Sequence, residues 1–170
     1  AGTSGSAGTS GQTGSSGRDG NFGGAAFLYE FDDSAYVTGN ANPSSGILLP
    51  GIISGLSAPS NFDTTTALAI NKTDSNAQDI SNFLDQIANG NSAIKGHVRL
   101  SKRTFTNVFV MFSITEISDE SSFYELTVSK IGGQSAFFDD EQNTVVTFAK
   151  TGDAGTSGSS GSAGSAGSAG

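Results

Sequence analysis

Residues 1–24 read AGTSGSAGTSGQTGSSGRDGNFGG, with Gly2, Gly5, Gly8, Gly11, Gly14, Gly17, Gly20 and Gly23 at every third place and no phase error. The same period returns at Gly152, Gly155, Gly158, Gly161, Gly164, Gly167 and Gly170. A flexible Gly/Ser linker needs only a glycine-rich composition, and nothing in random-coil behaviour holds glycine to every third position. In a collagen triple helix three PPII-like chains wind so closely that each third residue meets the common axis, where only a hydrogen fits. The spacing therefore predicts collagen-like triple helices over residues 1–24 and 152–170, with these glycines as their structural residues.

All three prolines, Pro43, Pro50 and Pro59, lie outside the tracts. Proline pre-sets φ, so without it each chain gives up more backbone entropy on ordering, about 1–2 kcal/mol per residue, against one interchain hydrogen bond per triplet. Short tracts of this kind should melt in isolation and need neighbouring domains that hold three chains together, raising their local concentration. The expectation is a homotrimer in which the partners of each chain are two identical copies. At about 3 Å per residue the tracts would span roughly 70 and 60 Å, which is the dimension of a spacer. The chain opens and closes in mid-repeat, which reads as a parent that continues both ways.

Apart from Gln12, Arg18, Asp19, Asn21, Phe22 and Asp153, the two tracts hold only Gly, Ser, Ala and Thr, so they have no core to form. Residues 25–151 hold eleven of the twelve phenylalanines, all three tyrosines and every Leu, Ile and Val, enough for one globular domain. That segment carries seven basic and fourteen acidic side chains, within a chain of net charge −8. The balance disfavours nucleic acid, since the only basic cluster is Lys95, Arg99, Lys102 and Arg103. No apolar run approaches a membrane span, and the absence of cysteine removes disulfides and thiolate metal sites.

Short apolar runs punctuated by Gly, Asn, Pro and Ser are the pattern of β structure. Strands are predicted at 25–31, 65–71, 94–100, 108–114, 124–128 and around Val146 and Phe148, with Asp32 to Pro59 rich in loops. Residues 77–89 predict the one helix: Ile80, Phe83, Leu84 and Ile87 share a face, and Ser75 with Gln78 suggests a capping box. Phe109 and Met111, alternating with Val108, Val110, Phe112 and Ile114, suggest a central strand buried on both sides. The predicted class is mainly β, a β-sandwich or small barrel of about six strands with one helix, homotrimeric and flanked by collagen-like triple helices. The apolar stretch Ile47, Leu48, Leu49, Ile52, Ile53 and Leu56 lies where a loop should be polar; it reads either as core or, the reading preferred here, as the trimer interface, for which these residues are the candidates.

Chemistry-bearing residues are sparse. His97 is the only histidine and has no partner at the spacing of a triad or zinc site. Asp139, Asp140 and Glu141, and separately Asp32 and Asp33, offer oxygen ligands without the alternating spacing of a calcium loop. Asn71-Lys72-Thr73 fits a glycosylation sequon, a match common by chance. No catalytic residue, metal or cofactor is assigned, and the chain reads as a non-enzyme.

The Phe31-Asp32-Asp33 opening, the Asp79-Ile80-Ser81-Asn82-Phe83-Leu84 segment and the strand from Ser92 to Leu100 resemble those of bacteriophage collagen-like structural and tail-fibre proteins. So do Phe109 to Ile114, Phe123 to Val128, and the exit from Val145 through Gly152-Asp153 into the second tract. The likeness covers roughly residues 27–153, with Ile47–Leu56 as an insertion-like departure. It implies a trimeric fibre on a virion surface or in an extracellular filament, and carries over no catalytic residues. The leading expectation is a fibre segment whose globular domain clamps three chains in register. The alternatives are a module binding a host-surface receptor or glycan, through loop aromatics such as Tyr36 or Phe62, and a unit of a bacterial collagen-like surface filament.

Overall fold

The computed structural model describes residues 2–5, 11, 25–55, 57–153, 155, 159–161 and 164–168. It divides into two units: the tract segments within 1–19 and 153–170, and a central unit over 20–152.

The central unit is a closed β-barrel of seven strands. These are β1 (Ala26–Phe31), β3 (Ile47–Ile52), β4 (Ala67–Asn71), β5 (Gly96–Lys102), β6 (Phe109–Asp119), β7 (Phe123–Gly133) and β8 (Gln142–Lys150). Around the barrel the order is β1-β8-β5-β6-β7-β4-β3, every pair antiparallel until β3 meets β1 in parallel, Glu30 opposite Ile47 and Phe31 opposite Leu48. The β1–β3 contact joins the two ends of the seven-strand sheet, and it replaces the sandwich alternative and the count of about six strands. A short β2 (Tyr36–Val37) lies parallel to the far end of β3.

The added strand, β3, comes from the stretch whose proline and glycine suggested a loop. Pro50 is tolerated because of where it falls: β1 pairs with Ile47 and Leu48 and β2 with Gly51 and Ile52, so Leu49 and Pro50 have a partner only in β4. A missing N–H costs least at such a position. Gly51 is needed for a different reason, since a Cβ there would overlap the Tyr36 ring.

Alternate residues of each strand fill the barrel, as the two-residue period requires. Tyr29, Phe31, Leu48, Leu68, Ile70, Val98, Leu100, Val110, Phe112, Ile114, Tyr124, Leu126, Val146 and Phe148 are all buried in one cluster. Phe109 and Met111 point the other way and stay half-buried, so β6 has an outer wall where burial on both sides was expected. Ile94, expected to share the inner face of its strand, is 41% exposed, because the strand starts two residues later at Gly96.

The two ends of the barrel are plugged differently. At one end, helix α1 (Ser81–Ala88) buries Leu84 and Ile87, and Phe83 packs against Phe27 and Phe148. At the other end Phe62, from the 3₁₀ turn Phe62–Thr64, meets Phe31, Phe112, Phe137 and Phe138 at centroid distances of 5.0–6.1 Å, mostly edge to face. The helix is shorter than 77–89, and no capping box starts it. Asp74 Oδ1 accepts from the backbone N–H groups of Asn76 and Gln78, Ala77 sits at φ 61°, and Asp79 Oδ1 accepts from Ser81 N. These side chains hold the backbone in turns until Ile80.

Candidate functional site

Within the tract unit the two segments run antiparallel. Thr3 N donates to Ser168 O at 3.1 Å, and the Thr3 and Ser168 hydroxyls lie 2.9 Å apart. A methyl at Gly5 would overlap the Ser165 carbonyl oxygen and stand 2.9 Å from Gly167 N; one at Gly167 would overlap Thr3 O and stand 2.9 Å from Gly5 N. A methyl at Gly11 would overlap Ser159 O and stand 3.0 Å from Gly161 N. The same offset holds at two described points, Gly5 with Gly167 and Gly11 with Gly161, and at both glycine is the residue that lets the backbones touch. Gly2, Gly155 and Gly164 are exposed, and Gly152, half-buried, accepts a hydrogen bond from Ser92 Oγ. Gly8, Gly14, Gly17, Gly20, Gly23, Gly158 and Gly170 lie outside the described residues.

In the central unit the chain comes in and leaves side by side. β1 and β8 are antiparallel neighbours over six residue pairs, starting with Ala26 opposite Thr147. Phe148 N donates to Ala25 O at 3.2 Å, and Thr151 N donates to Lys95 O at 3.0 Å. Residues 25 and 151, which adjoin the two tracts, therefore sit at the helix-plugged end of the barrel.

The interface candidates divide. Leu48 is 1% exposed inside the barrel, and Leu49, 7% exposed, packs with Tyr36, Ala67 and Ala69 in a second cluster on the outer side of β3 and β4. Both serve the packing of their own chain and are not available to a partner. Ile47, Ile52 and Ile53 are half-buried, and Leu56 lies outside the described residues. Tyr36 and Phe62, suggested as exposed loop aromatics, are 5% and 0% exposed. Asn71 is buried with its amide donating to Pro43 O at 2.9 Å, so the sequon is closed to modification.

Three of the four clustered basic residues are tied down locally. Lys95 Nζ donates to Gly90 O, Arg99 donates to Thr106 O and lies over the Phe109 ring, and Lys102 pairs with Asp139 at 2.9 Å. His97 is half-buried on the outer wall, in a shallow groove of about 420 Å³ shared with Arg99, Met111, Ile131, Thr147 and Ala149. Asp32, Asp33 and Asp140 bring carboxylate oxygens within 4.8 Å of one another, two of the residues exposed and Asp32 half-buried. The sequence named both acidic segments separately, and the fold brings them together; solvated carboxylates of this kind need no ion.

A cleft that the sequence did not signal lies between the β2–β3 connection and the β6–β7 hairpin. It encloses about 240 Å³ and is lined by Thr38, Gly39, Ala41, Glu120, Phe123 and Glu125. Glu125 faces outward from β7 between inward-facing Tyr124 and Leu126, and strict alternation predicts a solvated side chain there. Instead the segment through Tyr36 and Ala41 folds over the outside of the barrel and leaves Glu125 9% exposed. Burial, reinforced by the Glu120 charge, raises the Glu125 pKa. Its pKa is higher in the folded than in the unfolded chain, so its contribution to stability is complete at low pH and is lost as pH rises through the folded value. Glu125→Gln, which cannot ionise, should accordingly melt at a higher temperature than the parent near neutral pH, with the gap closing as pH falls below the ordinary glutamate range. Thermal melts across pH read this directly.

Compared with protein-family models, curated proteins and solved structures, the chain matches none.

Proposed function

We propose that this chain is a structural segment of a trimeric collagen-like fibre on a virion or other extracellular surface, its barrel set between two glycine-repeat tracts. One observation carries the reading: glycine holds a strict three-residue phase in both tracts, with no exception. Close backbone approach is the property that three-chain winding uses at its axis. The side-by-side chain ends refine the role of the barrel. Its first and last strands are paired, so the two points where the barrel joins the tracts lie side by side, and the β1–β8 ladder holds those points together.

A second reading has its own observation, the antiparallel register of Thr3 with Ser168 and Gly5 with Gly167 within one chain. On that reading the tracts of a single chain pair with each other and the protein is a monomer. Collagen winding needs parallel chains, so the two readings exclude each other for any given stretch of tract. Negative-stain images decide between them. Thin rods carrying beads of three barrels support the fibre, and single particles without rods support the paired monomer.

A further inference from the structure

We infer that the outer wall of the barrel around Ile131 and Met111 is the face on which a second copy of this chain docks, head to tail, to build a ring of three. The inference rests on the fibre reading and supplies the contact which that reading needs. Tracts without proline do not hold three chains together alone, so the association has to come from the barrels. The stretch expected to provide it does not, since Leu48 and Leu49 are buried within their own chain. The wall formed by β5, β6, β7 and β8 has apolar surface to spare. Among the described residues Ile131, 54% exposed, is the one exposed large hydrophobic side chain inside a barrel strand; Ile94 and Phe105 lie outside the strands. Met111, Thr147 and Ala149 adjoin it in the shallow groove of about 420 Å³. Apolar side chains on the solvent side of a strand, where the two-residue period calls for polar ones, mark a surface that assembly covers.

Charge names the partner. The groove has two basic side chains in its lining, Arg99 and His97, and no carboxylate. The chain as a whole carries −8, and among the described residues only Asp63, Asp119 and Asp139 are paired with lysines. A second copy therefore approaches as an anion, and this wall receives it without repulsion. Arg99 is held ready: it lies over the Phe109 ring and gives one N–H to Thr106 O at 2.6 Å, and a guanidinium has five to give. Two such walls face to face would bring cation to cation, which disfavours a two-fold pair. The contact is instead the wall of one copy on an acidic flank of the next, and head-to-tail contacts close into a ring when the rotation permits. Asp32, Asp33 and Asp140, with carboxylate oxygens within 4.8 Å of one another and no ion pair among the described residues, form such a flank.

Sedimentation equilibrium of the full chain at low temperature, on the parent and on Ile131→Glu, Ile131→Lys and Asn40→Glu, tests the docking face. Ile131 and Asn40 are both exposed, so the barrel should fold in all three variants, which thermal melts check. Ile131→Glu sets a carboxylate against an acidic neighbour and should lower the association constant by about tenfold or more. Ile131→Lys is as polar but of opposite sign, and should lower it clearly less. Asn40→Glu, on the β2–β3 connection and outside the groove, should leave it unchanged. A three-chain mass in the parent with an unchanged constant in Ile131→Glu would overturn the docking face and leave the fibre reading standing; the groove would then serve another occupant, such as a small carboxylate. Equal losses in Ile131→Glu and Ile131→Lys would overturn it too, because charge would not be selecting the partner. A one-chain mass in the parent at every concentration would overturn the fibre reading and this inference with it.

Discussion

Phe62→Ala should lose about 3–5 kcal/mol of unfolding free energy, a loss typical of removing a buried phenylalanine ring. Phe62 is 0% exposed, and its ring touches four others, from Phe31, Phe112, Phe137 and Phe138. It arrives on a 3₁₀ turn held by Asn61, whose side chain accepts from Thr64 N at 3.0 Å, and by Phe62 N donating to Ser135 O at 2.7 Å. Two loops thus meet at the ring, and the cavity left by alanine can close only if one of them shifts. Small domains are stable by only about 5–15 kcal/mol, so this one substitution should bring the barrel near its unfolding threshold. Urea unfolding followed by tyrosine fluorescence measures it. Phe62→Leu, which keeps most of the volume, should lose clearly less.

Gly5→Val should abolish ordered tract structure around the substitution while leaving the melting of the barrel unchanged. The valine Cβ would overlap the Ser165 carbonyl, and its two methyl groups have nowhere to go in a pair or in a three-chain winding. Ser4→Val is the matched control, because Ser4 adjoins Gly5 but lies outside the three-residue glycine phase. Circular dichroism at low temperature separates the two: the PPII-type signal should fall in Gly5→Val and persist in Ser4→Val. Equal loss in both would mean that side-chain bulk anywhere disturbs the tract, and the glycine phase would lose its physical cause.

The sequence made the barrel walls legible wherever polar and apolar residues alternate. Val98, Leu100, Val110, Phe112, Ile114, Tyr124, Leu126, Val146 and Phe148 all point inward as their spacing predicts. Phe31, Leu68 and Ile70 do the same in strands whose outer faces are less plainly polar. Closure was not legible, because it depends on a two-residue parallel contact between β1 and β3 that no local pattern encodes. The Ile47–Ile52 strand was masked by Pro50 and Gly51, whose turn chemistry is overridden by the gap between the β1 and β2 pairings. The Glu120–Glu125 cleft was illegible for a related reason. A carboxylate between two core residues of a strand looks solvated until a distant segment, here Tyr36 to Ala41, covers the outer wall.

Sedimentation equilibrium of the full chain at low temperature tests the fibre most directly, since three-chain winding cannot occur in a lone polypeptide. A mass three times the 17.1 kDa of one chain is the predicted result. A mass of one chain at every concentration would contradict it, and the glycine phase would then serve two tracts that fold back on each other.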